Sequence, residues 1–371
     1  VDGEPPPPGF SLDNLPPSQV ERIEITKGPT AEHSAQAVAG TINIVLRQQV
    51  RKGQRELRLG VGYNAWRPGP SLNLVWSESA GALSATVPLS LYRWRGRNGS
   101  ESKRQTLGTD GEPQALHLLG RDDWWGGGAS TNPRLVWKVD DTLSVDAQAQ
   151  LQRSEFRNGG TLVTEVLEGL APPSVDDEYR GYGHWQSMRG TLAVTRKGAG
   201  GTRLETRVGA QRSDSRSHQD FDGHDAAGAQ TIERSTDSES HERGATSSGK
   251  WTQALGEAQQ LATGWDLEQR RRDERRSVLE NGLPQLAGFD GEPFHARITR
   301  MAAWVQDEWE LSPQWSTYLG LRAERIDTRS TGSDGTLSSR SQVVTPLWHV
   351  NFKPRVGQRD LVRASLTRSY R

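Results

Sequence analysis

Several short stretches combine side chains in ways that could do chemistry. GATSSGKW, residues 244–251, sets a lysine behind a glycine-containing run and approaches a phosphate-cradling loop. Trp251 stands where a metal-binding hydroxyl is needed, and no helix pattern follows to supply amide donors, so nucleotide binding is rejected. HQDFDGHD, residues 218–225, resembles a calcium loop, with Asp220, Asp222 and Gly223 at its third, fifth and sixth positions. His218 stands first and Ala229 twelfth, so the closing carboxylate is missing and a solvated acidic loop tip is expected. The carboxylate pairs Asp122–Asp123 and Asp176–Asp177 fall in segments that read as loops. There is no nucleophile elbow, no HExxH and no cysteine. No enzyme, resident cofactor or metal site is expected.

Composition narrows the class. Of 371 residues only 33% are hydrophobic, yet thirteen are tryptophan. A disordered chain would share the polarity but not the tryptophans. Lys plus Arg equals Asp plus Glu at 46 each, which argues against nucleic acid as a partner. No apolar run reaches the ~18 residues that a membrane helix needs.

From about residue 55 the apolar pattern has period two. Leu57, Leu59, Val61 and Tyr63 alternate with polar residues and glycines, as do Leu143, Val145, Ala147, Ala149 and Leu151, and later Leu319, Leu321 and Ala323. Each run reads as a strand with one apolar and one polar face. Short turns are expected near 79–81, 140–141, 198–201, 255–257, 312–314 and 354–358. Long polar loops are expected at 97–122, 158–180, 219–234, 277–294 and 329–338. Strict alternation of short and long connections is the asymmetry of an up-and-down outer-membrane barrel. Such a barrel bonds all its backbone groups internally, turns apolar side chains to lipid and encloses water, which accounts for the low hydropathy. The tryptophans are expected mostly near strand ends, as suits interfacial girdles. About thirteen strands are counted, an odd number that leaves two open edges, so the chain is expected to be part of a larger barrel. Pro88, in mid-strand, is expected to mark a bulge or irregularity.

VERIEITKGPTAEHSAQAVAGTINIVLR, residues 20–47, closely resembles the end of the plug domain of TonB-dependent outer-membrane receptors. The family places a strand ending in Glu-Arg-Ile-Glu before an Arg-Gly-Pro turn, a small-residue loop and an Ile-Asn-Ile strand. The counterparts are residues 21–24, Lys27-Gly28-Pro29, Ala39-Gly40 and residues 41–45. Residues 304–324 and 352–371 resemble the family's barrel strands. Lys27 departs from the usual Arg, Ser34-Ala35 from a Tyr-Gly pair, and the single Gly40 from a frequent double glycine.

The resemblance implies an all-β chain: residues 1–50 as the C-terminal part of an α+β plug, residues 51–371 as the N-terminal part of a 22-stranded type of barrel. It implies a receptor in the outer membrane of a Gram-negative bacterium, surrounded by lipid and lipopolysaccharide. Its cargo would be a ferric siderophore, or else cobalamin, haem or a glycan. The TonB–ExbB–ExbD complex would drive uptake through a segment expected to be absent from this chain. A passive porin or adhesin-like barrel and a soluble β-rich surface or secreted protein are the other classes considered. Lys27 would lock the plug through Glu308 or Glu324 on the barrel wall, or simply be solvated in the gap. Phe10, after the proline run of residues 5–8, would contact ligand from an apical plug loop or else pack inside the plug. In YRGYGHW, residues 179–185, Tyr179, Tyr182 and His184 could grip an aromatic iron chelate or form an interfacial belt.

Overall fold

A computed structural model gives the fold for residues 20–26, 30–33, 41–46, 53–64, 67–107, 111–286, 288–355 and 360–368. Two sheets account for nearly all of it. The first is a small antiparallel pair, β1 (Val20–Thr26) with β2 (Thr41–Leu46), at the two strands that the resemblance of residues 20–47 implies.

The second sheet is an antiparallel, up-and-down wall. It begins with β3 (Gln54–Asn64), β4 (Arg67–Ala80), β5 (Leu83–Leu107), β6 (Pro113–Thr131) and β7 (Arg134–Lys138). It continues through β8 (Leu143–Glu168), β9 (Asp176–Lys197), β10 (Arg203–His224), β11 (Gln230–Ala254) and β12 (Gln259–Glu280). It ends with the two-residue β13 (Leu283–Pro284), then β14 (Pro293–Glu310), β15 (Trp315–Gly332), β16 (Gly335–Phe352) and β17 (Val362–Thr367). Neighbours in space are neighbours in sequence along a path of thirteen strands, the number expected from the alternation. β7 continues β6 after a break, and β13 pairs only with β12. This is the strand order of a barrel wall; among the described residues β3 and β17 are not paired with each other.

The long loops expected from sequence are largely strand. β8 runs for 26 residues and β11 for 25, several times the usual soluble strand. In the supposed loop 219–234, pairing runs on to His224 opposite Gln230 with one register shift, and only residues 225–229 form the turn; His218 stands opposite Asp237 and Asp220 opposite Ser235. Both faces are polar there, so the period-two signal vanishes although the backbone ladder does not. Opposite charges and hydroxyls placed directly across the strands hold the register instead. The connections are consequently short at both ends of the wall. Between β4 and β5 only Gly81 and Ala82 intervene, and Gly81 takes φ +58°, which the tight reversal requires.

Pro88 pairs in regular register with Val75 of β4. The irregularity is on its other side, where Asn132 and Pro133 separate β6 from β7 and leave the ladder open. Pro88 lacks an N–H, and the break faces it where that donor would be missed.

Residues paired in register share a face, so the two faces can be followed across the wall. One carries exposed apolar side chains, among them Val305, Met301, Leu319, Leu321, Leu267 and Trp348. The other carries Gln306, Arg322, Glu324 and Thr345, all buried. The second face is the inner one, since Ala31 packs against it with Ala262, Trp304, Leu347 and Tyr318. The tryptophans divide between the faces: Trp137, Trp309, Trp315 and Trp348 are exposed, whereas Trp304 is 4% exposed on the inner side. Trp304 is thus an exception to the expected girdle placement and instead packs against Ala31. Trp66 lies outside the described residues.

Candidate functional site

The most densely bonded inner site joins residues 30–33 to β11, β12, β14 and β15. The segment is a tight turn: His33 N–H donates to Thr30 O (3.2 Å), and the Thr30 hydroxyl meets His33 Nδ1 (2.8 Å). Such a turn leaves its outer carbonyls and amides without partners of their own, and the wall supplies them. Ala31 N–H donates to the Tyr318 hydroxyl (2.7 Å), which donates onward to Gln306 Oε1 (3.0 Å). Arg322 Nη1 donates to the carbonyls of Ala31 and Glu32, each at 3.2 Å. The Glu32 carboxylate meets Lys250 Nζ at 2.6 Å.

Arg322 is the centre of this arrangement. Its Nη1 reaches Asp266 Oδ2 (2.9 Å) and its Nε reaches Glu324 Oε2 (3.1 Å). The side chains of Arg322 and Glu324 are each 3% exposed, so neither charge is solvated by bulk water. A buried arginine needs several acceptors at once, and the fork of its guanidinium reaches two carboxylates and two carbonyls. Glu324 Oε1 is buried without a hydrogen-bond partner among the described residues.

Glycine makes the approach possible. A Cβ on Gly320 would come within 3.0 Å of both Ala31 Cβ and the Tyr318 ring. Ala31, fully buried, fits because Gly320 opposes it with no side chain.

The expected plug-locking residues fare unequally. Lys27 lies outside the described residues. Glu324 is part of the cluster, with Arg322 as its partner. Glu308 accepts from Gln306 Nε2 (3.1 Å), one step from Tyr318. Lys250, met in sequence as the lysine of a failed phosphate loop, holds Glu32 and lies 5.9 Å from the Trp304 ring centroid. Arg322, Tyr318, Asp266 and Gln306 were not singled out by sequence. Their only signal was a charge, an amide or a hydroxyl on the polar face of a strand.

The expected ligand residues do not form one group. Phe10 lies outside the described residues. Tyr179 projects from the inner face and donates a short hydrogen bond to Asp122 Oδ1; burial, more than this bond, pushes its phenol up to about 12. Tyr182 and His184 stand on the opposite, outward face. Tyr182 is exposed and tilted against His218, with ring centroids 5.2 Å apart. His184 lies opposite Glu155 and Arg216.

No family model matches the chain, and no curated protein matches it. Among solved structures it aligns with the siderophore receptor PiuA from Acinetobacter baumannii at 10% identity and a TM-score of 0.38, over 91% of this chain and 80% of that one. It aligns with the ferric yersiniabactin uptake receptor FyuA from Yersinia pestis at 12% identity and a TM-score of 0.38, over 90% of this chain and 60% of that one. The fold stands on the strand register described above, independently of these likenesses.

Proposed function

We propose that this chain forms part of an outer-membrane receptor of a Gram-negative bacterium, taking up a scarce nutrient by TonB-dependent transport. Residues 1–50 are then the end of a plug and residues 51–371 barrel wall. The observation that carries the reading is the inner dock, where residues 30–33 are held through hydrogen bonds and ion pairs more than through apolar packing. Polar contacts can be exchanged for water one by one, so a segment held this way can be moved without opening a dry core. The exposed apolar outer face supports lipid as its surroundings, because a soluble monomer rarely shows so continuous an apolar surface. No helix among the described residues is long and apolar enough to cross a membrane, which leaves a strand-built crossing open.

The cargo proposed is a ferric siderophore, on the strength of the plug-like residues 20–47. The TonB–ExbB–ExbD complex is the proposed source of drive. Of the aromatic trio, Tyr179 is the residue that a ligand inside the wall would reach. Tyr182 and His184 belong to an outward belt, and Phe10 is kept as an apical contact.

Deletion of the gene in its own organism, with growth measured on a panel of iron chelates under iron restriction, tests this. Loss of growth on one siderophore class, and collapse of that uptake on adding a protonophore, is expected. Dependence on cobalamin or a glycan instead overturns the cargo. Uptake that survives the protonophore overturns energy coupling and favours a passive pore.

A further inference from the structure

On the outward face, four arginines stand side by side. Arg212 of β10 is opposite Arg243 of β11, Arg243 is opposite Arg271 of β12, and Arg271 is opposite Arg297 of β14. All four side chains are exposed. Like charges directly across a ladder repel, so an uninterrupted row of this kind opposes the sheet that carries it. Carboxylates offset only half of it. Arg212 Nε pairs with Asp214 (3.0 Å) and Arg271 Nε with Asp273 (3.2 Å). At the equivalent places beside Arg243 and Arg297 stand His241 and His295. No ion pair or hydrogen bond holds the guanidinium of Arg243 or Arg297 among the described residues.

The row also has a fixed place relative to the apolar surface. Two residues further along each strand come Ala210, Ala245, Gln269 and Thr299, and two further Val208, Ser247, Leu267 and Met301. The next two strands repeat the order: leaving the apolar stretch, the first ionisable outward residue is Arg325 on β15 and Arg340 on β16. At the other end of the same stretch stand Trp251 on β11, Trp309 on β14, Trp315 on β15 and Trp348 on β16. The apolar face is thus edged by arginine at one end and by tryptophan at the other.

We propose that the Arg212–Arg243–Arg271–Arg297 row is a binding site for a membrane lipid whose headgroup carries more than one phosphate, the phosphorylated sugar base of lipopolysaccharide. This rests on the reading of the apolar face as lipid-facing. Guanidinium pairs phosphate through two parallel hydrogen bonds, and Arg243 and Arg297, two strands apart, have their forks free to do so. Phosphates lying along the row neutralise the repulsion between its members. The acyl chains of the same molecule then run down over Val208, Leu267 and Met301. A free phosphate would use the row but not the apolar strip, which is why the lipid is chosen.

The test uses the full-length receptor purified in a neutral detergent. Binding of the phosphorylated lipid base and of its dephosphorylated form is compared by native mass spectrometry, for wild type and for the R243Q/R297Q double variant. The wild type is expected to bind the phosphorylated form at least tenfold more tightly. The double variant should lose most of that preference while its affinity for the dephosphorylated form is unchanged. R243K/R297K, which keeps charge but not the fork, should fall between the two. Circular dichroism confirms that each variant is folded, as exposed substitutions should be. Equal affinity for the two lipid forms, or an unchanged preference in R243Q/R297Q, overturns the proposal. Displacement of the lipid by inorganic phosphate at low millimolar concentration overturns the lipid and leaves a simple phosphate site. If the receptor keeps its β structure in water without detergent, the lipid-facing reading itself has failed. If it requires detergent and shows no phosphate preference, only this site has failed.

Discussion

The dock beneath residues 30–33 and the polar ends of β10, β11 and β12 are built from the same side chains in opposite surroundings. In the dock, Arg322 and Glu324 are sealed from water, and each charge depends on a short set of partners. Where the polar halves of these strands begin, Asp214 takes Arg212, His241 and Gln186 as partners, and His241 also reaches Glu239 (3.2 Å), with solvent beside most of them. Burial makes the first network all-or-none, because removing one member strands the others without hydration. Exposure makes the second graded, because water replaces whatever is removed. Two polar networks in one wall should therefore answer very differently to mutation and to pH.

The sharpest way to break that contrast is Arg322→Ala. It leaves Glu324 as an uncompensated carboxylate in a closed site and takes the partner from the part-exposed Asp266, and a loss of about 3–5 kcal/mol is expected in denaturant unfolding of the detergent-solubilised protein. A loss under about 1 kcal/mol would mean that water reaches the cluster. Next is Tyr318→Phe, which removes the acceptor of the Ala31 amide and the donor to Gln306. One buried amide without a partner costs about 1–3 kcal/mol, so hydrogen exchange at Ala31 should accelerate roughly tenfold or more. Unchanged exchange would place the hold on this segment elsewhere.

The smallest effect is expected at the strand ends and comes from pH. Hydrogen bonding to Asp214 raises the pKa of His241, and hydrogen bonding to Asp237 raises that of His218. Groups raised in the folded state contribute fully below their unfolded value of about 6.5 and lose that contribution as pH climbs through the folded value. Asp214 runs the other way: Arg212 above all, with His241 and Gln186, holds it at about 2. Its contribution is present above the unfolded value of about 3.9 and disappears as pH falls toward about 2. Hydrogen exchange in the outer halves of β10 and β11, corrected for intrinsic rate, should be slowest between about pH 4 and 6.5 and faster on either side. The dock should show no such window over the same range. A profile shared by both regions would remove the distinction drawn between them.

How legible these regions were in the sequence follows the same division. Wherever one face is apolar, alternation exposed the strands, so β3, the first half of β8 and the middle of β15 could be read directly. Where both faces are wet the alternation disappears, and residues 219–234 were read as loop although all but the turn at 225–229 are paired strand. The small unit of β1, β2 and the turn at residues 30–33 was legible in its two strands, because Glu-Arg-Ile-Glu and Ile-Asn-Ile resemble plug strands of the receptor family. Its seat on the wall was not: Lys250, Asp266 and Arg322 are brought together by register across β11, β12, β14 and β15, which no local pattern encodes. Glu324 was named for its face as a partner of Lys27, and among the described residues it pairs with Arg322, two residues away on the same strand. Tyr179 and Tyr182 looked like neighbours in one motif, but an odd spacing in a strand sends them to opposite sides.

The length of the strands has one further consequence. At about 3.3 Å per residue, the 26 residues of β8 extend for roughly 80 Å, and even tilted by ~40° they rise about 60 Å. An apolar band of ~25 Å covers less than half of that height. On the lipid-facing reading proposed above, the remainder is a stiff wall of paired backbone whose rim stands well above the lipid.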